Sequence, residues 1–172
     1  MNMWMTTLGT VKEMKRSEEG VTSILLDNDG RECEFYLADT TWLVDGNGYP
    51  MVAEALAEKR VVVAHTEAMT FSLPPKSVAA AVMVYETVGP NYAVIEEVTK
   101  QEDGSIIVTT NQGDSLVTVL VDAQIAPFKT RNIVTLADLR PGAEVVLYYD
   151  VLAPSLPARA VTNQVVLLAG VL

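Results

Sequence analysis

The sequence predicts an all-β chain of two tandem, OB-like five-stranded barrels that are related by internal duplication, each with one short helix. Three observations lead to this prediction. The chain matches itself without a gap at an offset of about 83 residues, for example where Ser72-Leu73-Pro74 aligns with Ser155-Leu156-Pro157. Apolar residues make up 49% of the chain but aromatic ones only 6%, so small and β-branched side chains must form the core. In each half, three strands precede a short helix and two further strands, an order typical of OB-like barrels.

The first half opens with strands in which apolar and polar residues alternate. The segment Asp27–Gly30 has the small polar residues and the glycine of a tight hairpin turn. On the third strand, Cys33, Phe35 and Leu37 are predicted to face the core, and the residues between them to face water. The alanine, leucine and glutamate content of Met51–Lys59 predicts about two turns of helix. The five strands are predicted at Thr10–Lys15, Val21–Leu26, Arg31–Leu37, Arg60–His65 and Val78–Thr87.

The second half repeats this plan after a three-residue linker, Gly89-Pro90-Asn91. Its short helix corresponds to Val134–Arg140. The predicted domains are an apolar arm at residues 1–8, a first barrel at 9–88 and a second barrel at 92–172. The five strands of the second barrel are predicted at Val94–Thr99, Ser105–Asn111, Ser115–Val121, Glu144–Asp150 and Ala160–Leu168.

The balance of charge disfavours several classes of partner. The chain carries 12 Lys and Arg against 22 Asp and Glu, a net charge of −10. Nucleic acids and anionic membranes are bound by clustered basic residues, and the basic clusters here are adjacent pairs such as Lys15-Arg16. We therefore expect no nucleic-acid partner and no membrane span. The N-terminus lacks the basic and apolar regions of a signal peptide, which leaves the location unassigned, with the cell or spore surface as one option.

One motif resembles a known family. The run Ala68–Pro75, with the letters AMTFSLPP, follows a strand, and Gly9-Thr10-Val11 opens the unit. Together they resemble a small β-domain that recurs in uncharacterised, often surface-associated proteins of Gram-positive bacteria. The likeness covers most of both units and implies a β-fold and a surface or envelope setting, without catalytic residues. The chain departs from this pattern in its weaker second motif, Val151–Pro157, and in lacking a signal peptide.

Residues suited to catalysis or metal binding are few and scattered. His65 is the only histidine and falls in a strand, and Cys33, the single cysteine, is on a predicted inward face. For both residues a structural role is favoured over a catalytic one, in which Cys33 is a nucleophile and His65 is its base. Asp27, Asp29 and Glu32 lack the ligand spacing of a calcium loop, so a hairpin turn is favoured there. The sequence therefore predicts no catalytic, cofactor-binding or metal-binding residue, and no enzyme.

Ligand binding is the alternative function. Asp39 and Asp122 recur at equivalent predicted strand ends, where turn capping explains both. With Trp42 and the tyrosines, they are also candidates to bind a divalent cation or an extended polymer in the cleft between the two barrels.

The two ends of the chain are unusually apolar. Methionines alternate with other residues at the N-terminus, and the last eight residues carry no charge, whereas ordinary termini are polar. These ends either complete their own barrels or pair with another chain. The second option predicts a non-enzymatic structural or assembly protein that self-associates, into a filament or a surface layer. The predicted self-assembly residues are Met1, Met3, Trp4, Met5, Val166, Leu167, Leu168, Val171 and Leu172.

Overall fold

The structure is a computed structural model that describes residues 3–130 and 132–171. Within those residues it has eleven strands and three short 3₁₀ helices, which confirms the predicted all-β class. The chain divides into two compact units. The N-terminal unit is Trp4–Thr87, and the C-terminal unit is Val88–Leu172 together with Met3.

The N-terminal unit is a closed five-stranded barrel with the strand order β1-β2-β3-β5-β4, in which β4 also pairs with β1. All neighbours are antiparallel except β3 and β5, which run parallel. A 3₁₀ helix at Ala53–Leu56 follows β3, where a longer helix was predicted. The strands are β1 (Met5–Ser17), β2 (Gly20–Asn28), β3 (Arg31–Val44), β4 (Arg60–His65) and β5 (Lys76–Val84).

The hairpin between β2 and β3 has the tight turn that was predicted. Asn28 pairs with Arg31, which leaves Asp29 and Gly30 as the two turn residues. Both have positive φ, 51° and 87°, as a two-residue turn between twisted antiparallel strands requires. The Oδ1 atom of Asp27 accepts a hydrogen bond of 3.1 Å from the backbone N–H of Gly30. Asp27 and Asp29 therefore have structural roles in this turn.

Alternation along the strands fills the barrel interior. On β3, Phe35 is completely buried and Cys33 and Leu37 are partly buried against the same core, as predicted. Glu34 was predicted to face water, but only 3% of its surface is exposed. The buried core residues of this unit are Val11, Ile24, Leu26, Phe35, Leu56, Val61, Val63, Ala79, Val82 and Val84.

The C-terminal unit is a six-stranded sheet with the order β6-β10-β11-β9-β8-β7, and not the predicted five-stranded barrel. The predicted first strand, Val94–Thr99, is divided in two. At the division, the N–H of Ile95 bonds to Ala143 and the N–H of Glu96 bonds to Thr109, so the chain changes its pairing partner there. The strands are β6 (Pro90–Val94), β7 (Glu97–Lys100), β8 (Ile106–Thr110), β9 (Ser115–Pro127), β10 (Glu144–Tyr148) and β11 (Ala158–Ala169).

Two predicted boundaries are wrong. The arm at residues 1–8 is not separate, because β1 begins at Met5 and the residues Met5–Leu8 pair with β4. The linker Gly89-Pro90-Asn91 is not a linker, because β6 begins at Pro90 and pairs with β10. The second predicted helix, Val134–Arg140, is reduced to a 3₁₀ turn at Leu136–Asp138. Among the described residues, no helix has the length and apolar character needed to cross a membrane.

Candidate functional site

The loop between β4 and β5 of the N-terminal unit is anchored at its base. Met69 packs against the barrel core, and the hydroxyl of Ser77 donates a hydrogen bond of 2.7 Å to the carbonyl of Ala68. The loop then closes on itself, because the N–H of Thr70 bonds to the carbonyl of Lys76 at 2.9 Å. We call residues 70–76 the N-terminal tip.

The N-terminal tip holds two large apolar side chains in solvent. Phe71 and Leu73 have relative exposures of 105% and 96%. Between them, the hydroxyl of Ser72 donates to the carbonyl of Pro74 at 2.9 Å. The Leu73–Pro74 peptide bond is cis. A patch of exposed apolar side chains often marks an interaction surface, and these two lie two residues apart on one loop.

The C-terminal unit has a similar hydrogen-bonded loop between β10 and β11. The N–H of Ala153 bonds to the carbonyl of Arg159 at 2.7 Å, and the hydroxyl of Ser155 donates to the carbonyl of Pro157 at 2.6 Å. Leu156 between them is 101% exposed. We call residues 153–159 the C-terminal tip. It lacks an aromatic residue, since Pro154 occupies the position of Phe71.

An open groove of about 680 Å³ lies beside the C-terminal tip, along β9 and β11. We call it the C-terminal groove. Its charged lining residues are one acid, Asp150, and one base, Arg159, and most of the others are apolar or aromatic. The lining residues are Val88, Leu116, Thr118, Leu120, Tyr148, Tyr149, Asp150, Val151, Ala153, Arg159, Ala160, Val161, Thr162 and Asn163.

The corresponding place in the N-terminal unit is smaller. A depression of about 420 Å³ lies beside the N-terminal tip and includes Tyr36, Thr66 and Lys76. The ammonium of Lys76 lies 3.6 Å from the carboxylate of Glu34, which also accepts a hydrogen bond of 2.7 Å from Lys15. The larger recess and the aromatic tip therefore belong to different units.

Most of the predicted self-assembly residues that the structure describes are not exposed. Val166, Leu167 and Leu168 are buried in β11, and Trp4 and Met3 are half-buried. Met5 is partly exposed but pairs with β4 inside the barrel. Val171 is also partly exposed, whereas Met1 and Leu172 lie outside the described residues. The apolar C-terminal stretch completes its own fold because β11 is the central strand between β10 and β9.

His65 has a structural environment. Its Nδ1 lies 2.7 Å from the carbonyl of Thr66, and its Nε2 lies 2.8 Å from the hydroxyl of Thr7. The neutral tautomer with hydrogen on Nδ1 donates to the carbonyl and accepts from the threonine. Burial lowers the pKa of His65, while the Thr66 carbonyl opposes that shift. Burial also raises the pKa of the Cys33 thiol, which favours its unreactive neutral form.

The His65 environment predicts acid sensitivity of the N-terminal barrel. The folded-state pKa lies below the ordinary 6.5, so the stabilisation is present above pH 6.5 and is lost as pH falls through the folded value. We expect thermal stability to fall between pH 7.5 and about 5.5, and His65→Gln to flatten that slope. Fluorescence reports on this unit, because both tryptophans, Trp4 and Trp42, lie in it. No other histidine titrates in this range, and an equal slope in both proteins contradicts the prediction.

The remaining candidates are dispersed. Asp39 and Asp122 are exposed within long strands, β3 and β9, and not at strand ends as predicted. Both strands continue past a register shift, between Leu37 and Trp42 on β3 and between Val119 and Gln124 on β9, so each aspartate lies within its strand. Across residues 3–130 and 132–171, no group of three or more His, Cys, Asp or Glu side chains is placed to hold a metal ion.

Comparisons with known proteins identify no relative. No protein-family model matches the chain, and no curated protein or solved structure matches it. The resemblance to the small β-domain of surface-associated proteins therefore stays a prediction, as does a ligand in a cleft between the barrels.

The Ser-Leu-Pro match that predicts duplication also falls at the two tips, where the sequence pattern predicted no exposed loop. Two large apolar residues at alternate positions in a proline-rich loop, with no partner strand, are the feature that pointed to an exposed tip.

Proposed function

We propose that the two units are copies of one OB-like barrel. If β6 and β7 are counted as one strand equivalent to β1, the strand order of the C-terminal unit follows that of the N-terminal barrel. Each unit also contains one parallel pair, β3 with β5 and β9 with β11. These two features, with a 3₁₀ helix before the fourth strand, are the support for the OB-like description.

The strand registers support duplication at the level of single residues. Thr10 pairs with Arg60, and 84 residues later Val94 pairs with Glu144. Likewise Tyr36 pairs with Val78, and Thr118 pairs with Val161, at offsets of 82 and 83 residues. The offset differs by strand, so the repeat has short insertions and deletions where an ungapped match was expected.

We further propose that the protein is a non-enzymatic assembly protein that self-associates through its two β4–β5-type tips. The observation that carries this proposal is the repeated tip, in which a hydrogen-bonded loop holds Leu73 or Leu156 fully in solvent. A loop fixed in this way loses little conformational entropy when its side chain is buried by a partner. The predicted assembly role is thus retained, while its surface moves from the chain ends to the tips.

Charge decides where two copies can meet. A chain with a net charge of −10 repels its copies over most of its surface. The segment Ala68–Pro75 carries no charge, so it offers an apolar contact without bringing acidic groups together. The contact is small, because specific interfaces generally bury more than about 1,200 Å². We therefore expect association that depends on protein concentration, with a dissociation constant of roughly 10–1,000 µM.

Sedimentation velocity over that concentration range tests the assembly role. We expect the wild-type chain to form larger species as concentration rises, and Leu73→Ser with Leu156→Ser to remain monomeric. Ile133→Ser is the matched control, because Ile133 is 92% exposed but lies outside both tips. A wild-type chain that stays monomeric, or a control that loses association equally, contradicts the proposal.

A further inference from the structure

We infer that assembly is head to tail, with the N-terminal tip of one copy seated in the C-terminal groove of a second copy. This inference rests on the proposed self-association, and it replaces contact through both tips by contact of the N-terminal tip with the C-terminal groove. The donor is the pair Phe71 and Leu73. The acceptor is the apolar part of the groove, formed by Leu116, Leu120 and Val161.

The two units differ in the features that this contact needs. Only the N-terminal tip presents an aromatic ring, since Pro154 stands at the equivalent position of the other tip. Conversely, the C-terminal groove has Leu116 opposite Arg159 where the N-terminal unit has Glu34 opposite Lys76. The depression beside the N-terminal tip is also the smaller acceptor, about 420 Å³ against about 680 Å³ for the groove.

Charge complements the apolar contact. The uncharged segment Ala68–Pro75 is preceded by the exposed acid Glu67, and the groove contains the exposed base Arg159. The acid and base among the groove residues balance, so a second copy approaches here without the repulsion of the overall negative chain.

The occupant that we propose is a second copy of the chain. Phe71 and Leu73 are fully exposed, so the N-terminal barrel does not cover its own tip. Burying one phenylalanine removes on the order of 200 Å² from water, which is a small anchor typical of a reversible contact. Because donor and acceptor are different surfaces of one chain, each added copy leaves one tip and one groove available.

Complementation between two blocked variants tests this arrangement. The tip-blocked variant is Phe71→Lys with Leu73→Lys, and the groove-blocked variant is Val161→Lys. Val161 is 58% exposed, and Val121→Lys is its matched control, since Val121 is 59% exposed on β9 but does not line the groove. Every substitution makes the net charge less negative, so a loss of association is not a result of added repulsion.

We expect each blocked variant alone to be monomeric, with association weakened at least about tenfold, as for loss of a central anchor. An equimolar mixture is expected to form a heterodimer and no larger species, because only one intact tip and one intact groove remain to pair. Val121→Lys is expected to behave as the wild type. Circular dichroism spectra that match the wild type establish that each variant is folded.

The outcomes separate the two proposals. If the wild type does not associate, or does so without the tips, the proposed function itself is wrong. If association needs the tips but Val161→Lys assembles like the wild type, or the mixture gives no heterodimer, only the head-to-tail inference is overturned. Species larger than a dimer in the mixture also overturn it, since they require a second contact surface.

Discussion

Replacing Phe35 with alanine is expected to lower the free energy of unfolding of the N-terminal unit by about 3–5 kcal/mol. The side chain is completely buried at the centre of β3. It pairs with Ile24 on β2, and its ring centroid lies 5.0 Å from that of His65. Removing it leaves a cavity that a closed barrel cannot readily collapse, because its strands are hydrogen-bonded on both sides.

Denaturant unfolding followed by tryptophan fluorescence measures this effect, since Trp4 and Trp42 both belong to the N-terminal unit. The matched control is the next residue on the same strand. Tyr36 is 44% exposed, and Tyr36→Ala is expected to change the free energy by about 0.5 kcal/mol or less. Similar losses for the two variants mean that Phe35 is not the core anchor that its burial indicates.

Phe35 and its neighbours also show which parts of the fold the sequence predicts. Alternation placed Phe35 inside correctly, and Asp27–Gly30 identified the hairpin, because both depend on interactions local to one strand pair. The lengths of β1 and β3 were underestimated. Residues Met5–Leu8 and those after Leu37 are extended because β4 and β5 pair with them, and those strands lie more than thirty residues away in sequence.

The candidate site was less predictable for a related reason. The apolar C-terminal stretch was expected to be available to a partner, but Val166 and Leu168 are buried in the central strand β11. Apolar character alone does not distinguish a core strand from a docking surface. At the tips, by contrast, Phe71 and Leu73 are exposed because the loop closes through backbone bonds before either side chain reaches the barrel.

Stability and assembly are therefore expected to respond to different substitutions. Phe71 and Leu73 contribute no buried area to the barrel, so changing them is expected to leave the unfolding free energy within about 0.5 kcal/mol. Phe35→Ala is expected to have the opposite effect: it lowers the unfolding free energy of the barrel and leaves the contact surface of the tip unchanged. A tip variant that is strongly destabilised contradicts the description of the tip as a feature held by the barrel.

Glu34→Gln is the second large effect we expect on stability, a loss of about 1 kcal/mol near pH 7. The carboxylate is 3% exposed and bonds to the Lys15 ammonium at 2.7 Å, with Lys76 at 3.6 Å. Glutamine keeps the size but removes the charge that both lysines contact. Because Lys15 is largely exposed, water weakens the pair, and the lower end of the usual range applies.

The pH dependence identifies the charge as the cause. The hydrogen bond from Lys15 lowers the pKa of Glu34 below its ordinary 4.5, and Lys76 acts in the same direction. Its stabilisation is therefore present above pH 4.5 and is lost as pH falls through the folded value. The difference between wild type and Glu34→Gln in denaturant unfolding is expected to shrink at acid pH. A difference that stays constant contradicts an ionic origin.

Glu34→Leu is the control that the second unit supplies. Leu116 pairs with Arg159 in the C-terminal unit as Glu34 pairs with Lys76 in the N-terminal one, so leucine is accepted at this register position. Leucine removes the cost of desolvating the carboxylate, and it leaves no buried unpaired charge because the side chains of Lys15 and Lys76 are 66% and 30% exposed. We expect Glu34→Leu to be nearer to the wild type than Glu34→Gln, and a larger loss for leucine than for glutamine contradicts the proposed equivalence of the two sites.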